Sequence, residues 1–339
     1  MKEGMLYKKL KDNVVNCFLC AHRCVIGPGK RGICAVRENI GGTLYSLVYG
    51  KVVAMNIDPI EKKPLFHFLP GSKSLSIATA GCNLKCQHCQ NYEISQLPAE
   101  RPDVPIPGQD VRPGEIARMA KEEGCESISY TYTEPTIFLE YAYDCIKEAK
   151  ILGIKNAFVS NGFMSEESAK LIAPMLDANN IDLKGGADFY KNICMGRVEP
   201  VKRTIRTMKE HGVWLEITTL VIPGHNDSDE SLQEIAGFIH SLSPDIPWHV
   251  SAFYPTFKLL DRPRTPVAVL KRAREIGLAA GLKFVYTGNV PGEEGETTSC
   301  PSCGQAILVR AGYRIAANLL REGRCPRCSS IIPGLWHNK

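Results

Sequence analysis

Three cysteines, Cys82, Cys86 and Cys89, stand in the stretch Gly81-Cys82-Asn83-Leu84-Lys85-Cys86-Gln87-His88-Cys89, a Cys-x3-Cys-x2-Cys spacing. Three thiolates can wrap one corner of a four-iron cluster and hold three of its irons, whereas a cluster ligated wholly by protein takes four cysteines. The fourth iron is then left open, and an open metal position is where chemistry happens. The rival reading of this spacing is a zinc knuckle with a distant fourth ligand.

Eleven of the fourteen cysteines fall into three clusters, and two of these flank the trio. At the C-terminal end stand Cys300-Pro301-Ser302-Cys303-Gly304 and Cys325-Pro326-Arg327-Cys328, two Cys-x2-Cys knuckles 21 residues apart. This is a four-thiolate pattern of the zinc-ribbon or rubredoxin-like kind. Zinc is favoured over iron, because a redox role needs a stated partner. A tail this short has little core of its own, so the metal should supply much of its folding energy. At the N-terminal end the set is Cys17, Cys20, Cys24 and Cys34, with His22 inside it. A structural zinc and an auxiliary iron–sulfur cluster are both chemically open there, with zinc slightly favoured. Cys125, Cys145 and Cys194 stand outside the clusters.

The elements that must position these groups read as an α/β alternation. Strand candidates are Leu75–Thr79, Ser127–Tyr132, Asn156–Ser160, Asn180–Leu183, Trp214–Val221, Trp248–Ala252 and Lys283–Thr287. Helical patterns lie between them. From Pro135 to Leu152, Phe138, Tyr141, Ala142, Cys145, Ile146 and Ala149 recur at three and four residues, the mark of a buried helix face. Thr133 is placed to cap that helix, Pro135 suits its first turn and Gly153 its end. Cys145 falls on the apolar stripe and reads as core.

Strand–helix alternation implies parallel strands with right-handed crossovers. Six or seven units predict a full or partial (β/α) barrel over residues 71–290, with Cys-rich metal-binding modules at 1–70 and 291–339. Ligand-bearing residues should follow the strands, at the C-terminal rim. The polar and glycine-rich motifs do: Thr133-Glu134-Pro135, Ser160-Asn161-Gly162, Asp182-Leu183-Lys184 and His249. Alternation puts Asp182 and Lys184 on one strand face, where they form either a functional couple or a structural ion pair. Cys194 lies in the loop after the fourth strand, and that location makes it a candidate hydrogen donor or covalent handle for substrate. The Pro-rich stretch Leu97–Pro113 reads as a loop.

Composition is that of an ordinary globular protein, with a net charge of +5 on 339 residues. That charge is mild and unclustered, which argues against a nucleic-acid binder. No apolar run spans a bilayer, and Met1–Met5 opens no signal peptide, so a cytoplasmic location is expected.

The trio, its preceding strand and His88 resemble the signature of radical S-adenosylmethionine (radical SAM) enzymes. The chain as a whole resembles the radical SAM member of the AmmeMemoRadiSam system. That likeness runs from the N-terminal cysteines through Gly32-Ile33-Cys34-Ala35-Val36-Arg37, Tyr49-Gly50 and Asp58-Pro59-Ile60-Glu61-Lys62-Lys63-Pro64-Leu65. It continues through the trio, Tyr132-Thr133-Glu134-Pro135 and Asp182-Leu183-Lys184 to the C-terminal knuckles. The resemblance implies a [4Fe-4S] cluster on Cys82, Cys86 and Cys89 that reductively cleaves SAM to a 5′-deoxyadenosyl radical, which takes hydrogen from a substrate. It implies a low-potential electron donor, flavodoxin or ferredoxin, and companions of the Memo and AMMECR types. It also implies SAM contacts: Thr133 and Glu134 to the methionine amino group, Ser160 and Asn161 to the carboxylate or ribose, and His88 beside the adenine. Asp182 and Lys184 would meet the carboxylate, the ribose or a monovalent cation, and His249 would face the ribose. The resemblance leaves the substrate open; the first reading is a protein or peptide side chain, with the extra cysteine modules as docking surfaces. Activation of a glycyl-radical enzyme is the alternative, although no eight-cysteine insert follows the trio. A non-enzymatic zinc-ribbon adaptor for nucleic acid is the reading from another class.

Overall fold

The computed structural model describes residues 1–290 and 294–337. Its centre is one eight-stranded sheet. The strands are β1 (Ala54–Pro59), β2 (Lys73–Ala78), β3 (Ser127–Tyr130), β4 (Lys155–Ser160), β5 (Ala178–Asp182), β6 (Trp214–Val221), β7 (Trp248–Ala252) and β8 (Val285–Gly288). They lie side by side in chain order, β2 to β8 all parallel and β1 antiparallel to β2. Six helices cross over between successive parallel strands: α1 (Pro113–Glu122), α2 (Leu139–Ile151), α3 (Glu166–Ile172), α4 (Val198–Glu210), α5 (Asp229–Leu242) and α6 (Val267–Ala279). β3 and β7 are buried along their whole length, as strands covered on both faces are.

Sequential order is that of a (β/α) barrel, but β1 and β8 do not pair among the described residues, so the sheet is an open, partial barrel and not a closed one. β1 carried no barrel signal because it is an antiparallel edge without a crossover helix.

The helix expected from Pro135 begins with a 3-10 turn, Pro135–Phe138, before α2 takes over. Its cap is Glu134, not Thr133: the Glu134 carboxylate accepts from Thr136 N at 2.9 Å. Glu134 is extended, as residues before proline are, and this turns its side chain onto the helix start. Thr133 Oγ1 instead donates to Thr79 O. The far end matches: Gly153 is left-handed, and Ile154 N returns to Ala149 O. Cys145 is fully buried on the expected stripe. The stretch Leu97–Pro113 is not wholly a loop. It holds a helical turn, Leu97–Glu100, and a short strand, Gln109–Asp110, paired with Lys51–Val52.

The N-terminal region folds into small antiparallel sheets, one of Tyr7–Lys9, Val15–Cys17 and Val25–Ile26. The C-terminal region is a three-stranded antiparallel ribbon, β9 (Thr298–Ser299), β10 (Ala306–Ala311) and β11 (Arg314–Asn318). The expected boundary at residue 291 lies outside the described residues. The ribbon shares a core with the barrel: Cys300, Ile307, Leu308, Leu320, Cys325 and Ile332 pack with Phe66, Phe284 and Tyr286.

Candidate active site at the open end of the sheet

The C-terminal ends of the parallel strands open onto one cavity of about 2130 Å³. Cys82, Cys86 and Cys89 line it from the loop after β2. Thr133 enters after β3, Ser160 and Asn161 at the end of β4, Asp182 and Lys184 around the end of β5, and His249 from β7. His88 lines the same wall.

The trio's loop is fixed from several sides. Asn161 Nδ2 donates to Asn83 Oδ1 at 2.8 Å and approaches Cys82 Sγ at 3.6 Å. Lys85 N and Gln87 N donate to the carbonyls of Cys194 and Ile193, both at 3.0 Å. Cys89 Sγ meets Ser95 Oγ at 3.1 Å. The three thiols hold their protons tightly: burial pushes Cys82 and Cys89 up, and Cys86 is raised by its hydrogen bond with Cys194 and by burial. Iron binding would release those protons.

Among the described residues these three sulfurs do not gather within 4.8 Å of one another, although each faces the cavity. A single zinc with sulfur bonds of ~2.3 Å would draw its thiolates to an edge of about 3.8 Å. The donor set therefore fits three irons of a cluster better than one ion, and no fourth thiol lines the cavity wall.

Cys194 is a correction. It is fully buried, lies off the cavity wall, and its Sγ stands within 4.8 Å of Cys86 Sγ and a His88 ring nitrogen. Its loop braces the trio from behind, so the thiol does not face substrate. Glu134 is a second correction. Its carboxylate is completely buried, off the cavity wall, and accepts from Thr136 N, Thr136 Oγ1, Ser160 Oγ and Asn161 N. These contacts hold its carboxylate at the helix start, off the cavity wall. It orients Ser160 and Asn161, which are on the wall.

Asp182 and Lys184 do both things the sequence allowed: they pair at 2.6 Å and they line the cavity. Burial works against the Lys184 ammonium, but the negative charges of Asp182 and of the neighbouring Cys86, Cys194 and Tyr190 groups together hold the amine well above its ordinary pKa. His88 is neutral at ordinary pH, pushed down to about 3 by burial and by the nearby Lys184 charge. Its Nδ1 has no partner.

His249 is held by a group the sequence did not flag. Glu216, fully buried on β6, accepts from His249 Nε2 at 2.6 Å, from Phe66 N and His67 N at 2.9 and 2.7 Å, and from Trp214 Nε1. Asp58 was likewise quoted without a role. It accepts from Lys62 Nζ, Lys63 Nζ and the Tyr132 hydroxyl. Although partial burial opposes ionisation, these donors hold Asp58 well below the usual carboxylate range. Asn83 links this loop to the rest of the wall through Asn161 and the Phe163 carbonyl. Only contacts across the fold reveal these three, because a lone polar residue in a strand or loop carries no periodic signal.

The C-terminal cysteines form a different site. All four sulfurs lie within 4.8 Å of one another, with Cys300–Cys328 and Cys303–Cys325 both at 3.6 Å. That is close to the ~3.8 Å edge of a zinc–thiolate tetrahedron. Ser330 hydrogen bonds pull the Cys328 thiol down to about 6, which supplies a ready thiolate. The N-terminal cysteines line one small cavity, but no three of their sulfurs lie mutually within 4.8 Å. His22 lines the same cavity, with its Nε2 at 2.7 Å from Asn83 O.

The radical SAM superfamily sequence profile matches residues 76–238. The uncharacterized protein MJ0808 of Methanocaldococcus jannaschii is 46% identical over 98% of this chain and 99% of its own length. Among solved structures, a radical SAM methyltransferase from Sphaerobacter thermophilus gives a TM-score of 0.51 at 17% identity, covering 65% of this chain and 67% of that one. Streptococcus suis SuiB gives 0.52 with S-adenosylmethionine bound, at 16% identity over 69% of this chain and 53% of SuiB. With precursor peptide SuiA bound it gives 0.51. At these identities the likeness is one of fold. No helix among the described residues is long and apolar enough to cross a membrane. Taken with the three-cysteine loop at the rim of an open parallel barrel, the profile and the near-full-length relative place this chain in the radical SAM superfamily.

Proposed function

We propose that this radical SAM enzyme acts on a protein or peptide side chain. The observation that supports this most is the extent of the cavity. It runs from Cys82, Cys86 and Cys89 past Asp182 and His249 to Arg310, Gly312 and Tyr313 of the C-terminal ribbon. Its volume of about 2130 Å³ is well above the ~300–1,000 Å³ of ordinary small-molecule sites. SAM would occupy the part nearest the trio and leave the ribbon side for a larger substrate. SuiB, of the same fold, is seen with a precursor peptide.

In this reading Cys82, Cys86 and Cys89 hold the [4Fe-4S] cluster, which supplies one-electron reductive cleavage of SAM when both are bound. Thr133, Ser160 and Asn161 present hydroxyl and amide groups to the methionine end. His249, oriented by Glu216, faces the ribose, and Asp182 and Lys184 fix charge beside it. Glu134 acts through Ser160 and Asn161 as a positioning residue. The ribbon cysteines hold zinc, which keeps the outer cavity wall in shape. Reduced flavodoxin or ferredoxin supplies the electron. Membership of the AmmeMemoRadiSam system would make Memo- and AMMECR-type companions the first proteins to test.

The test is isotope transfer. Companion proteins made with deuterated amino acids are incubated with reduced enzyme and SAM. Deuterium in 5′-deoxyadenosine, with a mass change on one companion, is the expected result. Deuterium taken up only from small metabolites would overturn the substrate class. A glycyl doublet in the EPR spectrum of a large partner would redirect the reading to an activating enzyme.

A further inference from the structure

Cys17, Cys20, Cys24 and Cys34 are the one cysteine set that the site above leaves unused. All four line a single small cavity, closed by Leu19, Ile26 and Ile137. Yet no three of the sulfurs lie mutually within 4.8 Å among the described residues. The same chain shows what a single-ion site looks like, in the ribbon sulfurs at 3.6 Å. A zinc tetrahedron would need edges of about 3.8 Å. Neither the N-terminal set nor the trio brings three sulfurs mutually within 4.8 Å among the described residues, which suits thiolates on separate irons.

Two buried cations point the same way. Arg37 lines this cavity and is 1% exposed. Its Nη1 pairs with Glu140 and its Nη2 donates to Met5 O, but its buried Nε has no partner. An orphaned buried donor is costly unless something absent from the protein accepts from it. Lys85 Nζ, on the trio's loop, is also buried without a partner.

The two sets also touch through backbone. Gly81, just before Cys82, packs so closely on the N-terminal segment that a Cβ there would meet Val36 Cγ1 at 2.7 Å and Cys34 O at 3.3 Å. Asn83, just after Cys82, receives His22, which lies between Cys20 and Cys24. Cys82 is thus flanked on both sides by the N-terminal set.

We propose that Cys17, Cys20, Cys24 and Cys34 hold a second four-iron cluster, and that it relays electrons to the cluster on the trio. One electron leaves an external low-potential donor, such as a flavin hydroquinone, reduces the N-terminal cluster, and passes on to the trio's cluster. The N-terminal cluster returns to its oxidised state. The relay rests on the radical SAM reading, whereas the site itself does not.

The test therefore uses the Cys82→Ala/Cys86→Ala/Cys89→Ala variant of the full chain, reconstituted anaerobically with iron and sulfide. It should retain about four irons and four sulfides, with the Mössbauer signature of a four-iron cluster. Wild-type protein should hold about twice that, with zinc confined to the ribbon. A triple variant carrying a second zinc and no cluster iron would overturn the site. In a Cys20→Ser/Cys24→Ser variant the trio's cluster should lose rapid reduction by flavodoxin hydroquinone, while excess dithionite still reduces it. Unchanged reduction by flavodoxin would overturn the relay. Should that variant fail to fold, the metal content of the triple variant still decides the site.

Discussion

The trio's loop and the C-terminal ribbon use the same side chain for opposite ends. In the ribbon four sulfurs converge within 4.8 Å of one another. Such a site is closed and its product is a fold. At the rim three sulfurs stand apart around a large cavity, and the remaining wall is made of Asn161, Asp182, Lys184 and His249. That site is left open, and its wall carries charged and hydrogen-bonding groups. Cysteine count and sulfur convergence, more than cysteine itself, separate the two sites.

The comparison predicts a double dissociation. Cys86→Ala should reduce 5′-deoxyadenosine formation to background while leaving thermal unfolding close to wild type, read by activity and calorimetry in parallel. Cys303→Ser should do the reverse: release the ribbon metal, lower stability by part of the ~10–16 kcal/mol that such sites contribute, and expose the tail to limited proteolysis, while iron at the trio is retained. A Cys303→Ser protein with an intact, protease-resistant ribbon would break the contrast.

Glu216 sharpens it, because it ties the two regions together. It holds His249 on the cavity wall and anchors Phe66 and His67, against which the ribbon packs. Removing one partner of such a buried pair costs roughly 3–5 kcal/mol, so Glu216→Ala should destabilise by that order in urea unfolding. Although burial alone would raise Glu216, its hydrogen bond with His249 and the charges around it leave the carboxyl below its ordinary pKa. Its contribution is therefore present above the unfolded carboxylate pKa and lost as pH falls through the lower folded value. Glu216→Gln should weaken this acid sensitivity.

The smallest expected effect is set by His67. Its Nδ1 lies 2.7 Å from Pro333 O and its Nε2 2.6 Å from the Tyr286 hydroxyl, in the seam between barrel and ribbon. Burial pushes it down to about 4, against about 6.5 in an unfolded chain. Between those values the unfolded chain binds a proton that the folded chain does not, so stability falls as pH drops from about 6.5 towards 4 and returns as pH rises. The loss is at most about 3 kcal/mol. His67→Gln should flatten this part of the pH–stability curve.

Much of this was legible in the sequence because strong signals were local. Trp214–Val221 and Trp248–Ala252 matched the strands residue for residue, since β-rich runs buried on both faces have no competing pattern. The three cysteine sets were visible as spacings. What stayed hidden depended on direction. Thr133 and Glu134 are neighbours, and the extended conformation before Pro135 decided which faced the helix and which the cavity. Cys194 sat in the expected rim loop, but the π-helical turn Tyr190–Cys194 buried its thiol behind the trio. Spacing also could not say how far apart the N-terminal sulfurs stand. The choice between a full and a partial barrel stayed open for a similar reason: whether β1 and β8 meet depends on accumulated strand geometry, not on any one segment.

The central claim is that Cys82, Cys86 and Cys89 carry an open-iron cluster that cleaves SAM. It is tested most directly by reconstituting the protein without oxygen, reducing it, adding SAM and quantifying 5′-deoxyadenosine, beside the Cys82→Ala/Cys86→Ala/Cys89→Ala variant. The account predicts 5′-deoxyadenosine from the wild type and none above background from the variant. Zinc in place of iron at those three cysteines, or equal 5′-deoxyadenosine from both proteins, would contradict it.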